Sequence, residues 1–133
     1  YIRLFKEWAK NKSLNHGELN EYTAFERFIN NRENGNFIVS LYDADKLIGF
    51  VTYEIISTQY ATLHFGKAEQ SYKGIYEFML FTMSKALEKH GIEFWNFEQD
   101  LGIPGLRKSK KDANPIFYLK KYSVELKDKK LAC

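Results

Sequence analysis

The spacing of apolar side chains changes period along this chain, and those changes limit the order of elements it can form. Over residues 2–11, Ile2, Leu4, Phe5, Trp8 and Ala9 make a rough helical stripe, which Asn11, Asn15 and Gly17 interrupt. Leu19, Tyr22, Phe25, Phe28 and Ile29 then recur three and four residues apart. They predict a second helix from about Glu18 to Asn31, stopped by Gly35. Beyond it the pattern turns β-like: Phe37–Tyr42, Leu47–Ile56 and Tyr60–Lys67 read as strands. The turns Asp43-Ala44-Asp45-Lys46 and Ser57-Thr58-Gln59 are short enough to make the three an antiparallel meander. From Lys73 the period is helical again, with Ile75, Phe78, Met79, Thr82 and Ala86 on one face and Gly91 as the stop. Ile92–Phe97 returns to strand, so a crossover with parallel pairing is expected. Pro104 and Pro115 each open a short helix, the second running to Lys121, and Tyr122–Leu126 reads as a last strand.

The expected class is therefore α/β (α+β): a mixed central sheet, an antiparallel meander followed by a β-α-β crossover, and helices on both faces. A length of 133 residues fits one domain over residues 1–133. Its 11 Phe and 9 Tyr supply the bulk a small core needs. No stretch reaches the roughly 20 apolar residues that span a bilayer. Cys133 is the sole cysteine, which excludes an internal disulfide and points to a reducing, cytoplasmic location. As a chain-end thiol it is not a positioned nucleophile. The three histidines and this cysteine lack metal-ligand spacing, so no metal is expected. Charge is uneven: from Arg107 onward nine Lys or Arg face three acids, while the rest is net acidic. A basic end suits an anionic partner such as nucleotide phosphate, RNA or an anionic lipid headgroup. Lys127–Lys130 reads as a solvated tail.

Chemistry concentrates in Glu98-Gln99-Asp100-Leu101-Gly102-Ile103-Pro104-Gly105-Leu106-Arg107-Lys108-Ser109-Lys110. Glu98 and Asp100 follow a strand two residues apart, so they leave one face of the sheet if the strand persists. Gly102 and Gly105 permit a tight turn and close approach of a ligand to backbone. Pro104 starts a helix whose free N–H groups can hold an anion. Arg107 and Lys110, three apart, share a face of it. The structural alternative is a capped turn, with Asp100 as helix cap and the basic residues in solvent; local physics alone favours it.

The run from Asn96 to Lys110 resembles an N-x-E-Q-D-x-G-I-x-G-L-R-x-x-K signature of the bacterial phosphatidylglycerol lysyltransferase C-terminal-like family. Pro115 and Lys120-Lys121-Tyr122 resemble that family's tail. His64-Phe65-Gly66-Lys67-Ala68 followed by Tyr72-Lys73-Gly74 resembles its strand-to-helix junction. The resemblance covers roughly His64 to Tyr122. It implies a GNAT-like acyltransferase fold, in keeping with the element order, and two tandem GNAT-like domains of which this chain is the second. An N-terminal GNAT-like domain is accordingly expected in the full-length protein. GNAT enzymes that use acetyl-CoA carry a Q/R-x-x-G-x-G/A loop, whereas this chain has Gln70-Ser71-Tyr72-Lys73-Gly74-Ile75, with one glycine and shifted spacing. That departure counts against acetyl-CoA as cofactor and favours an aminoacyl-tRNA donor.

Three readings follow. In the first, an acyl or aminoacyl transferase passes its group to an amine or hydroxyl. Glu98 or Asp100 is the general base, and Tyr122 is a proton donor as in many GNAT enzymes. Gly102, Gly105, Arg107, Lys110, Lys73 and Gly74 bind substrate, Arg107 as a bidentate fork. The second is a non-catalytic module binding tRNA or an anionic lipid headgroup. The third is a structural half of a duplicated protein. Arg107 and Lys110 have a bland alternative as ion-pair partners of Glu98 or Asp100. Tyr122 has one as core, and His64, on a strand, as a partly buried structural histidine. His16 and His90 read as surface residues near helix ends.

Overall fold

A computed structural model describes residues 1–10, 16–31 and 35–125. The expected breaks at Asn11 and Asn15, the end of the last strand at Leu126, the lysine tail and Cys133 lie outside the described residues. The chain divides after Gln99 into two units.

The first unit runs α1 (Ile2–Lys10), α2 (His16–Asn30), β1 (Asn36–Asp43), β2 (Lys46–Ser57), β3 (Tyr60–Ala68), α3 (Ile75–Lys89) and β4 (Phe94–Asn96). The sheet order is β1-β2-β3-β4. The first three strands are antiparallel, and β4 joins β3 in parallel after the α3 crossover. Two apolar clusters flank the sheet. Val51, Tyr53 and Ala61 meet Ile75, Met79, Met83 and Leu87 of α3 on one side. Leu4 and Phe5 of α1, Phe25 of α2 and Phe50 of β2 meet on the other. There Phe5 stacks on Phe25 at 4.9 Å and Phe25 on Phe50 at 5.1 Å. Lys67 is buried on this side, bonded at 2.6 Å to Glu21 of α2 and lying 3.6 Å over the Trp8 ring of α1. Pairing of this kind is what makes a buried lysine tolerable.

The α3 stripe differs from expectation. Its buried residues repeat every fourth position, whereas Phe78 is 58% exposed. β4 is shorter than the expected Ile92–Phe97. At its start the Glu93 and Phe94 N–H groups both bond to the Gln59 carbonyl. At its end the Asn96 side chain takes the Glu98 N–H at 2.8 Å, and Glu98 has φ 57°, which no strand continues.

The central irregularity lies between β2 and β3. Val51 pairs with Gly66 but Tyr53 with Leu63, so β3 holds one extra residue opposite Thr52. Such a bulge turns consecutive side chains to one side. His64 and Phe65 accordingly both meet the Phe28 ring of α2 at 6.0 Å. Fully buried Thr52 accepts the Phe65 N–H at 3.0 Å, a group that the bulge removes from the ladder.

The second unit contains α4 (Pro104–Asp112), with Pro104 at its start as expected, and no buried residue among those described. Over residues 113–125 there is neither helix nor strand. The expected Pro115–Lys121 helix and the part of the Tyr122–Leu126 strand within the described residues are therefore corrected. Asn114 at φ 50° and Pro115 end the helical path. Ile116, Phe117 and Leu119 are all exposed, so no packing offsets the cost of nucleating so short a helix.

Replacing Thr52 with valine keeps the shape and removes the bond to the bulge. A loss of about 1–3 kcal/mol is expected in chemical denaturation, because the Phe65 N–H is left unsatisfied.

Candidate functional site

The bulge aims His64 at two carboxylates. Its Nε2 lies 3.0 Å from Glu54 Oε2, on the neighbouring strand β2. Its Nδ1 lies 3.3 Å from Glu98 Oε1, just past β4. Three non-contiguous segments thus meet in one acid–imidazole–acid cluster. Glu98 is exposed and His64 half-buried. The Glu98 contact, followed by that to Glu54, raises the His64 pKa above the ordinary histidine value against the opposing effect of burial. Because the folded value is raised, the pairing stabilises fully below the ordinary range and is lost as pH rises through the folded pKa.

Glu98 owes its place to its backbone. A non-glycine residue at φ 57° carries strain on the order of 1–2 kcal/mol. The Asn96 carboxamide holds that conformation by accepting the Glu98 N–H. The N-x-E spacing in the sequence is therefore a local bracing device. It ends the strand and turns the glutamate out of the ladder.

The second unit handles its carboxylate differently. Asp100 Oδ1 accepts the Gly102 N–H at 2.9 Å, and the Ile103 N–H bonds to the Asp100 carbonyl. Leu101 and Gly102 both have positive φ, 53° and 74°, so residues 100–103 form the mirror-image turn that favours glycine. Arg107 Nε donates to Asp100 Oδ2 at 2.6 Å. Arg107, followed by the Gly102 N–H, holds the Asp100 carboxyl down at about 2. Asp100 is thus committed to bracing the turn, and Arg107 to Asp100. Lys108, Lys110 and Lys111 extend the basic surface of α4, with Lys108 paired to Asp112.

The other residues singled out in the sequence lie apart from these contacts. Gly74 caps α3 with φ 74°, and a Cβ there would meet no atom within 4 Å, so conformation rather than crowding calls for glycine. Lys73 is exposed beside it. Near this loop a cavity of about 380 Å³ is lined by Leu4, Trp8, Ala68, Gln70 and Ser71 among others. Gly105 has open space around it, and Tyr122 is 77% exposed rather than in a core. Glu54 was not legible as a site residue. Hairpin counting brings β2 and β3 together, but only the bulge sets His64 against Glu54.

Residues 2–125 match the family described as "Phosphatidylglycerol lysyltransferase, C-terminal". A conserved protein of unknown function from Bacteroides thetaiotaomicron VPI-5482 is 25% identical, with a TM-score of 0.67. The match covers 87% of this chain and only 40% of that protein. The ribosomal-protein-alanine N-acetyltransferase of Brucella melitensis biovar Abortus 2308 is similar at TM-score 0.66 and 11% identity, over 94% of this chain and 90% of that one. An aminoglycoside acetyltransferase, meta-AAC0020, from an uncultured soil metagenomic sample gives 0.65 and 13%, over 96% and 86%. At these identities the two acetyltransferases establish the GNAT-like fold alone. No curated protein matched the chain.

Removing the guanidinium by Arg107→Ala should raise the Asp100 pKa from about 2 toward the ordinary aspartate value of about 3.9. Carboxyl carbon NMR titration reads this directly. In the wild type the turn keeps its ion pair above the ordinary aspartate range and loses it as pH falls through about 2.

Proposed function

The chain belongs to the phosphatidylglycerol lysyltransferase C-terminal family, and from that premise we propose that it is an acyltransferase domain using an aminoacyl-tRNA donor and an amine or hydroxyl acceptor. The observation that carries this reading is Glu98, an exposed carboxylate fixed at φ 57° and backed by His64. Attack on an acyl ester requires the incoming amine or hydroxyl to lose a proton, and a positioned carboxylate can take it. Glu98 is preferred to Asp100 in this role, because both oxygens of Asp100 are engaged by the turn and by Arg107.

The single-glycine loop from Gln70 to Ile75 supports a donor other than acetyl-CoA. Lys108 and Lys111, exposed on α4, suit the phosphates of a tRNA or of a lipid headgroup. A family named for transfer to phosphatidylglycerol makes that lipid the first acceptor to try. Because the chain spans 40% of the length of the Bacteroides protein, a preceding GNAT-like domain belongs to the same proposal.

Transfer should be assayed with lysyl-tRNA and phosphatidylglycerol vesicles, and separately with acetyl-CoA and a primary amine. Glu98→Gln should lower kcat by about 10²–10⁴-fold, the range of general base catalysis, with little change in KM. Unchanged transfer by this variant would remove the base assignment. Transfer from acetyl-CoA alone would overturn the donor assignment.

The basic helix also favours a second reading, a non-catalytic module that holds tRNA or anionic lipid for another domain. Binding to either should then fall steeply between about 50 and 200 mM salt. It should weaken further when Lys108, Lys110 and Lys111 are replaced by glutamine. Filter binding and vesicle co-sedimentation measure this, and salt-independent binding would exclude it.

A further inference from the structure

We propose that His64 and Glu54 are positioning residues that form a proton relay behind Glu98, so that the proton Glu98 takes from the acceptor passes to His64 Nδ1. The inference rests on the reading of Glu98 as base and adds the route the proton follows.

The hydrogen-bond inventory supports it. A carboxylate only accepts, and a neutral His64 carries one N–H for two such partners; in the relay it sits on Nε2, toward the shorter contact with Glu54 at 3.0 Å. The Nδ1 lone pair then faces a second acceptor, Glu98 Oε1, at 3.3 Å. Two acceptors in contact lack one proton. Supplying it converts the contact into a charge-assisted hydrogen bond, with the imidazolium held between two carboxylates. Glu54 therefore does for His64 what a buried acid does for a catalytic histidine: it sets the tautomer and stabilises the charged ring. The charged groups facing the ring are Glu54 from β2 and Glu98 from beyond β4. From α2 the neighbour is the Phe28 ring, which contributes no competing charge.

Two further features fit this arrangement. Glu98 is strained and exposed, whereas His64 is half-buried behind it, so a substrate would meet the carboxylate first. The extra residue in β3 opposite Thr52 is what turns His64 toward both acids. The chemical step balances. The acceptor's nitrogen or oxygen bonds to the acyl carbon, and its proton goes to Glu98 and on to Nδ1. The bond from the acyl carbon to the leaving oxygen breaks with its electron pair on that oxygen, which takes a proton from water. His64 later returns its proton to solvent. The base is then competent only while His64 is neutral, and activity rises with pH through the His64 titration.

The test measures the His64 midpoint by imidazole NMR in the whole chain, beside the acid limb of kcat/KM with the lysyl-tRNA and phosphatidylglycerol probes. In the wild type both should coincide, above the ordinary histidine value of about 6.5. Glu54→Gln should lower both together by about half a unit or more. Glu98→Gln should lower the NMR midpoint even where it abolishes transfer. His64→Gln should remove the acid limb and reduce kcat with KM unchanged. A wild-type midpoint at the ordinary value overturns the relay, as does an acid limb that stays put when Glu54→Gln moves the midpoint. If Glu98→Gln abolishes transfer while His64→Gln and Glu54→Gln leave the pH profile alone, the relay fails and the base survives. If Glu98→Gln transfers normally, the underlying reading fails.

Discussion

One extra residue in β3 sets the chemistry of the first unit. With regular pairing, His64 and Phe65 would point to opposite faces of the sheet. The bulge puts both beneath α2, where Phe65 joins the Phe25 cluster and His64 stands between Glu54 and Glu98. A bulge leaves backbone groups unpaired, and an orphaned buried N–H costs about as much as a lost hydrogen bond. Thr52 removes that cost with a side chain that is wholly buried and perfectly placed only if the slip occurs opposite it. The apolar core and the acid–imidazole–acid cluster therefore depend on the same hydroxyl.

The fold was largely legible in the sequence because its elements alternate in period. Two helical stripes, three short-turned strands, a helix and a strand follow one another with little ambiguity, and the strand ends fall within a residue or two of the expected ones up to Ala68. What escaped lies where a local pattern gives no information about its partner. Phe78 fits the helical stripe yet faces out, because the α3 contact uses every fourth residue and not the third as well. The expected strand at Tyr122–Leu126 rests on composition, but β-propensity measures the fit to a neighbouring strand, and none pairs with its described residues. Glu54 and His64 are ten residues apart, and their meeting is decided by a register shift that no periodicity encodes.

Glu98 and Asp100 look equivalent in sequence and are not equivalent in structure. The expectation that they leave one face of a sheet assumed a continuing strand, and β4 ends at Asn96. Asp100 then takes the standard role of an aspartate in a tight turn, accepting the N–H two residues on, with Arg107 fixing its second oxygen. Its low pKa marks it as permanently charged at neutral pH and already satisfied. Two acids in one motif have thus divided into a brace and an available carboxylate, a division that spacing alone leaves open.

The positive-φ residues extend that contrast. Gly102 and Asn114 are of the types that tolerate this region. Glu98 is not, and neither residue choice nor turn formation explains it: glycine or asparagine would hold the same backbone with less strain. What glutamate adds is a carboxylate that reaches Nδ1 of His64. Strain at a non-glycine residue persists where surrounding contacts over-determine it, and here Asn96 fixes the backbone while His64 engages the side chain. Leu101, at φ 53°, shows the difference: the turn from Asp100 to Ile103 holds its backbone, and nothing in the structure explains its side chain. The inference of function therefore runs from strain that is compensated by a specific polar partner, and among the described residues that condition singles out Glu98.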